Sequence, residues 1–292
     1  MKSILKLLRP QQWVKNFFVF IPAFFAGALF HPENIKALLL GFVCFSLVAS
    51  AIYIINDYRD IEADRNHPEK KNRPLAAGTV KVSTAFILVF VLLTIGLGLA
   101  YFLEFNFFLA ISLYLVINIG YSQGLKNISI LDILIVATGF LLRVIAGGLI
   151  IHVAVSKWLL IMVFLLALFM ALAKRLDDLL IGERDGKQSR KSVEHYNLNF
   201  IYSGITMIAG IIMVSYIMYT ISDEVMERLG SEHLYFTSVF VIAGVLRYLQ
   251  ITLVEQRSGS PTKIFLTDKF IIITVLGWVI SFFVMIYFNK GF

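Results

Sequence analysis

One cysteine, Cys44, is all the thiol chemistry in this 292-residue chain. It cannot form an internal disulfide, and it lies in an apolar run with no partner for a metal site. Charge is scarce as well, at 15% of residues against 59% hydrophobic ones. Soluble domains carry about 25% charged and 45–50% apolar residues, so this balance excludes an ordinary soluble protein. The five histidines (His31, His67, His152, His195 and His233) are scattered without metal-ligand spacing. A Walker-type glycine loop and a dinucleotide fingerprint are both missing. No cleavable signal peptide is expected, because Pro10 and Gln11-Gln12 interrupt the basic N-terminus and no small-residue cleavage site follows a short apolar stretch.

Long apolar runs are what the sequence has in abundance. Crossing a hydrocarbon core of ~30 Å takes about 20 apolar residues. Candidate spans fall at 17–30, 37–56, 83–103, 107–121, 131–151, 158–174, 201–221, 235–253 and 270–288. The expectation is therefore an all-α membrane protein of nine transmembrane helices, with 1–292 forming a single catalytic domain. Residues 1–16 read as an interfacial helix, since Ile4, Leu5, Leu7 and Leu8 mix with Lys2, Lys6 and Arg9 and Trp13 suits headgroup depth. With the N-terminus cytoplasmic, the inner segments are 1–16, 57–82, 122–130, 175–200 and 254–269. Together with Lys174 they hold 20 of the 26 Lys and Arg. That satisfies the positive-inside rule and puts the C-terminus outside. The outer loop near 222–233 is acidic instead. The net charge of +7 thus reports membrane orientation, and nucleic acid is not an expected partner.

Two inner loops, 57–82 and 175–200, are much longer than the others and follow spans four apart, which suggests two similar halves. The first opens with Asn56-Asp57-Tyr58-Arg59-Asp60-Ile61-Glu62-Ala63-Asp64. Its aspartates at i, i+3 and i+7 share one helix face. Carboxylates stacked this way repel unless cations join them. Magnesium suits such oxygen ligands and bridges one or two carboxylates to substrate phosphates; Asn56 can add a neutral oxygen. A solvated helix end is the bland alternative. Against it stand Arg65, Lys70, Lys71 and Arg73-Pro74, cations that fit a polyphosphate beside a metal, although some of them satisfy orientation alone. Pro74 stiffens the chain next to Arg73.

The second loop repeats the pattern with Lys174-Arg175-Leu176-Asp177-Asp178, followed by Glu183, Arg184, Asp185, Lys187, Arg190, Lys191, Glu194 and Tyr196. Asp178 stands at i+4 from Lys174, which fits either a structural ion pair or a second metal or phosphate site facing the first. Tyr121 and Lys126 flank the short loop after span four, where Lys126 serves orientation or a phosphate. Arg143 lies near the middle of span five, a costly depth that by default implies function or an internal partner. Arg247, beside Tyr248, either snorkels or binds substrate. Gly139 and Gly147-Gly148 read as close helix packing.

The nine-span pattern with N-D-x-x-D-x-x-x-D after span two resembles the UbiA superfamily of intramembrane prenyltransferases, over essentially the whole chain. In that family two acidic motifs, after spans two and six, bind magnesium and a diphosphate. Asn56, Asp57, Asp60 and Asp64 match the first motif. The second departs from the usual D-x-x-x-D, reading K-R-x-x-D at Lys174, Arg175 and Asp178. With Arg9-Pro10, Gln12 to Asn16, Arg73 to Gly78, Tyr121-Ser122, Leu125-Lys126, Gly139-Phe140, Leu142-Arg143, Ala146 to Gly148, Arg190 to Ser192, Glu194, Tyr196 and Leu246 to Tyr248, it is similar to the polyprenyl-phosphate phosphoribosyltransferase branch.

That resemblance implies magnesium-dependent transfer of a 5-phosphoribosyl group from phosphoribosyl pyrophosphate to a polyprenyl phosphate. It places the enzyme in a bacterial cytoplasmic membrane with its active site on the inner face. It implies Mg2+ on Asn56, Asp57, Asp60 and Asp64, with Arg175 and Asp178 as further catalytic residues. Lys15, Lys126 and Arg143 would hold the lipid phosphate. Arg73, Lys174, Arg175, Arg190 and Lys191 would hold the donor. Asn16, Lys70, Tyr121, Tyr196 and Arg247 complete the substrate-binding set, and assembly into a homo-oligomer is left open. An ordinary prenyltransferase with an aromatic or quinone-precursor acceptor shares the fold and the first motif. An anion transporter is the reading from another class, but charge concentrates at one mouth only.

Overall fold

A computed structural model describes residues 2–66, 70–185, 195–257 and 261–287. Among the described residues all regular structure is helical. In chain order the α-helices are α1 (Lys2–Leu8), α2 (Ile21–Phe25), α3 (Pro32–Arg59), α4 (Ile61–Arg65), α5 (Val82–Leu103), α6 (Phe105–Gln123), α7 (Leu131–Ile150), α8 (Lys157–Asp185), α9 (Leu198–Thr220), α10 (Asp223–Leu229), α11 (Ser238–Leu249), α12 (Pro261–Thr267) and α13 (Lys269–Tyr287). Eight helical segments among the described residues are long and apolar enough to cross a membrane: α3, α5, α6, α7, α8, α9, α11 with its π-turn continuation to Val254, and α13. They coincide with eight of the nine expected spans. Their outer faces carry exposed Phe90, Phe102, Val116, Met207, Val214 and Ile273. Apolar surface of that extent belongs in lipid, so the chain is an integral membrane protein.

The stretch expected as the first span, 17–30, differs. Pro10–Phe20 forms an eleven-residue 3₁₀ helix, followed by the five residues of α2. At about 2.0 Å rise per 3₁₀ residue and 1.5 Å per α residue, residues 10–25 extend roughly 30 Å, as far as some 20 α-helical residues would. The tighter winding has a partner. Trp13 Nε1 donates to Ser50 Oγ and Asn16 Nδ2 to Ser46 Oγ, each at 3.0 Å. Three 3₁₀ residues and four α residues both advance about 6 Å, so the polar row on the 3₁₀ helix meets the serine row on α3 rung by rung. Phe17 and Phe20 continue the contact onto the Phe42 ring.

The termini follow local chemistry. Pro32 opens α3 at a position where a missing N–H costs nothing. Asn197 caps α9 by accepting the Phe200 N–H at 2.7 Å. Gly124 ends α6.

The chain groups into two compact units. The first comprises 1–126 and 138–156. Its core joins the 3₁₀ helix to α3, α6 and α7 through Val19, Phe45, Val48, Phe107, Ile111 and Ala146, and a second cluster joins α1 to α3 and α5. Gly147 makes the first of these possible: a Cβ there would stand 2.0 Å from the Val19 carbonyl oxygen. The second unit comprises 127–137 and 157–292, with a core of α8, α9 and α11 built on Phe169, Leu172, Leu176, Ile201, Ile205 and Tyr248.

Candidate active site

The acidic motif sits where α3 ends. Asp60 closes the helix at φ −98° and ψ 6° and α4 follows at once. The α-type ladder survives the break, because Asp60 N–H donates to the Asn56 carbonyl (3.0 Å) and Asp64 N–H to that of Asp60 (2.8 Å). Asp57 and Asp64 are buried, and both bind one nitrogen: Arg73 Nη1 lies 3.1 Å from Asp57 Oδ1 and 2.7 Å from Asp64 Oδ2. Asp60 diverges from the expected common face. It pairs with Lys126 Nζ at 2.5 Å and accepts from Asn56 Nδ2 at 3.1 Å. Asn56 Oδ1 lies 3.4 Å from both Lys126 Nζ and Ser122 Oγ.

Arg73 is placed by a compact turn. Lys70 opens a 3₁₀ turn and its carbonyl accepts the Arg73 N–H at 2.9 Å. Ala77 N–H then returns to the Arg73 carbonyl at 2.8 Å, and Gly78 takes φ +68°, a left-handed conformation that glycine adopts without strain.

Arg9 completes this constellation, and the sequence reading did not include it among the site residues. Its Nη2 reaches Asp57 Oδ1 at 2.5 Å, and its guanidinium lies 5.2 Å from the centre of the Tyr53 ring. Arg9 has φ 52° and ψ 56°. That is a strained choice for a non-glycine residue, and more so before proline. No spacing rule links residue 9 to residue 57, so only the Arg9-Pro10 pair in the family resemblance pointed there.

Deeper in the same unit lies a second basic group. Arg143 is 4% exposed. Its Nε donates to Asn16 Oδ1, its Nη1 to the Gly139 carbonyl and its Nη2 to the Tyr114 hydroxyl, each at 2.8 Å. The rings of Phe45, Tyr114 and Phe140 surround it at 5.6, 4.6 and 5.6 Å. Every one of these partners is neutral. Among the described residues no carboxylate pairs with Arg143, so its charge is held in place but not cancelled. Lys15 is the neighbour of Asn16 on the 3₁₀ helix. Asn16 itself is fully buried, with its amide committed to Ser46 and Arg143, so it orients Arg143. Tyr121 stands half-buried near the end of α6.

In the second unit, Arg175 is 3% exposed and clamped. Its Nε donates to Asp132 Oδ2 at 2.6 Å and its Nη1 to Asp178 Oδ2 at 2.7 Å. Tyr196 donates its hydroxyl proton to Asp132 Oδ1 at 3.0 Å and accepts the Ile130 N–H at 2.5 Å. Burial pushes the Tyr196 phenol up to about 12, so it remains a neutral donor at physiological pH. Asp178 therefore has Arg175, at i−3, as an ion-pair partner, while Lys174 is exposed. Asp132 was missed in the sequence, where one acid in the first turn of an apolar helix looks like an ordinary helix-dipole charge. Arg247 binds Asp268 at 2.7 Å, Glu255 at 2.8 Å and Gln250 at 2.7 Å. Two carboxylates account for its charge without any substrate. Arg190 and Lys191 lie outside the described residues.

The donor set suits a magnesium ion. No three His, Cys, Asp or Glu among the described residues form a closed metal cage. Asp57 and Asp64, already sharing one cation, offer the one or two carboxylates that magnesium takes when phosphates supply the rest of its shell.

Known proteins resemble this chain over most of its length. The UbiA prenyltransferase family matches residues 17–275. A decaprenyl-phosphate phosphoribosyltransferase from Corynebacterium glutamicum is 34% identical over 98% of this chain and 87% of its own length. One from Mycobacterium tuberculosis is 34% identical over 95% and 92%. Among solved structures, a UbiA homolog from Archaeoglobus fulgidus bound to GPP and Mg2+ has a TM-score of 0.73 over 97% of this chain and 99% of that one, at 22% identity.

Proposed function

This chain belongs to the UbiA prenyltransferase family, and on that premise we propose that it transfers a 5-phosphoribosyl group from phosphoribosyl pyrophosphate to a polyprenyl phosphate. The bond from ribose C1 to the diphosphate oxygen breaks, a bond from C1 to the lipid phosphate oxygen forms, and diphosphate leaves. The reaction belongs to a bacterial cytoplasmic membrane, with the acidic motif at the inner face. Near full-length likeness to relatives named for this activity supports the reading.

The structural observation that carries the choice of acceptor is Arg143. A buried guanidinium with only neutral partners, beside Lys15, is an unbalanced positive charge in an apolar interior. Such a charge is costly unless an anion joins it. A lipid phosphate supplies that anion, whereas an uncharged aromatic or quinone acceptor leaves Arg143 uncompensated. A phosphate monoester is already nucleophilic at neutral pH, so the site needs no strong general base. Lys15 and Arg143 bind and orient it.

Asp57, Asp64 and Asp60, with Asn56, are the residues that would hold magnesium, which would stabilise the departing diphosphate. Arg73 and Lys126 stand at the motif to take phosphate oxygens.

A radiometric assay tests the proposal. Purified protein receives magnesium, labelled phosphoribosyl pyrophosphate and a polyprenyl phosphate, with EDTA and Asp57→Ala controls. Label should enter the organic phase only with metal and Asp57 present. Transfer instead from a prenyl diphosphate to an aromatic acceptor, with none from phosphoribosyl pyrophosphate, would replace this reading with ordinary prenyl transfer.

A further inference from the structure

Each aspartate of the acidic motif is already paired with a cation. Arg9 and Arg73 hold Asp57, Arg73 also holds Asp64, and Lys126 holds Asp60. The reverse also holds: among the described residues, every side-chain hydrogen bond made by Arg9, Arg73 and Lys126 ends on Asn56, Asp57, Asp60 or Asp64. If a divalent ion took these carboxylates by itself, three cations at partly buried positions would lose their acceptors together. A stranded charge of that kind is expensive. A diphosphate brought in with the metal offers oxygens to all three.

Resting on the metal–diphosphate reading above, we propose that Arg9, Arg73 and Lys126 are exchangeable counter-ions. They hold the aspartates until metal and diphosphate arrive together, and then pass from carboxylate to phosphate, so that neither ligand binds well alone. Arg9 thereby becomes a donor-diphosphate ligand. Its backbone supports this role. A left-handed residue ahead of proline persists only where its surroundings over-determine it, and here Asp57 and the Tyr53 ring do so. The bond that must be surrendered is the one that holds the turn, which keeps Arg9 poised beside the incoming phosphate.

The test reads binding, not turnover. Protein in detergent is titrated with Mn2+, as a stand-in for magnesium, with and without labelled inorganic pyrophosphate. Retained metal and retained label are counted after spin filtration. Wild type should retain Mn2+ at least about tenfold more tightly with pyrophosphate than without, the size expected when a charged hydrogen bond must otherwise be abandoned. Arg9→Gln and Lys126→Gln should shift the two ligands in opposite directions: Mn2+ alone binds more tightly than to wild type, and pyrophosphate with Mn2+ binds more weakly. Lys126 stands far from the Arg9 turn in sequence and on a different element, so its variant keeps the test open if Arg9→Gln disturbs folding. Variants that weaken or preserve both bindings together would overturn the exchange while leaving the diphosphate reading intact. Wild type that retains no pyrophosphate with Mn2+ would overturn the diphosphate reading as well.

Discussion

Asp132 and Arg175 meet at 2.6 Å with almost no exposure. Removing Asp132 takes a fully desolvated partner from both Arg175 and Tyr196, a loss approaching the roughly 3–5 kcal/mol of a broken buried pair, although Asp178 still holds Arg175. Asp132→Asn should therefore lower the thermal midpoint in detergent well below that of Asp178→Asn, whose carboxylate is partly exposed. Equal losses would mean that burial does not set the hierarchy. Arg143 calls for a kinetic measurement. Arg143→Leu should raise the KM for lipid phosphate by about a hundredfold or more, the worth of a buried charged contact of ~3 kcal/mol. The donor KM should change little. A shift confined to the donor would assign Arg143 elsewhere. The sequence made some of these residues legible and not others. Asn56, Asp57, Asp60 and Asp64 announce themselves because their spacing is local. Arg9, Asp132 and Tyr114 do not, because their partners lie 48, 43 and 29 residues away, and no periodicity reports a contact of that range.

At the scale of elements, the eight long helices were readable because each is an apolar run of membrane length. Residues 10–25 were harder. Their apolar content implies a span, but hydropathy says nothing about whether a backbone winds 3.0 or 3.6 residues per turn. That choice depends on the serines of α3 and on Gly147 of α7. Gly147→Ala should accordingly act at a distance. Its Cβ would collide with the Val19 carbonyl, displace the 3₁₀ helix and loosen the bond from Arg143 to Asn16. Lipid-phosphate turnover should fall about tenfold, as one strained charged hydrogen bond predicts, with less effect on the donor KM. Ser46→Ala removes two neutral bonds, the one accepted from Asn16 and the one donated to the Phe42 carbonyl, but only the first, about 1 kcal/mol, reaches the site, and it should cost a few-fold. Similar losses in both variants would argue against a steric wedge at Gly147.

For the whole molecule, the excess of Lys and Arg on one set of loops predicts an orientation that labelling can check. Cys44 is the single cysteine and is buried, so a Cys44→Ala background is silent. In that background Thr79→Cys should resist an impermeant maleimide in intact cells and react after permeabilisation, while Glu224→Cys should react in both. The opposite pattern would invert the topology and move the acidic motif to the outer face. The charge bias was legible because it is a sum over many residues. The spacing of the two long inner loops suggested two halves, but that residues 127–137 group with the second unit while 138–156 group with the first was not legible, since it depends on where contacts fall between residues far apart in the sequence.

The matched advance of the 3₁₀ helix and α3 also restricts how this stretch can change in length. Inserting or deleting one residue between Trp13 and Asn16 would turn everything beyond it by about 120°. Asn16 would then leave both Ser46 and Arg143. A change of three residues restores the row and merely slides it by one rung. Length variation here should therefore arise in threes, each paired with a shift of four along the serine row, and a lone insertion should disable the protein even where the added residue is apolar.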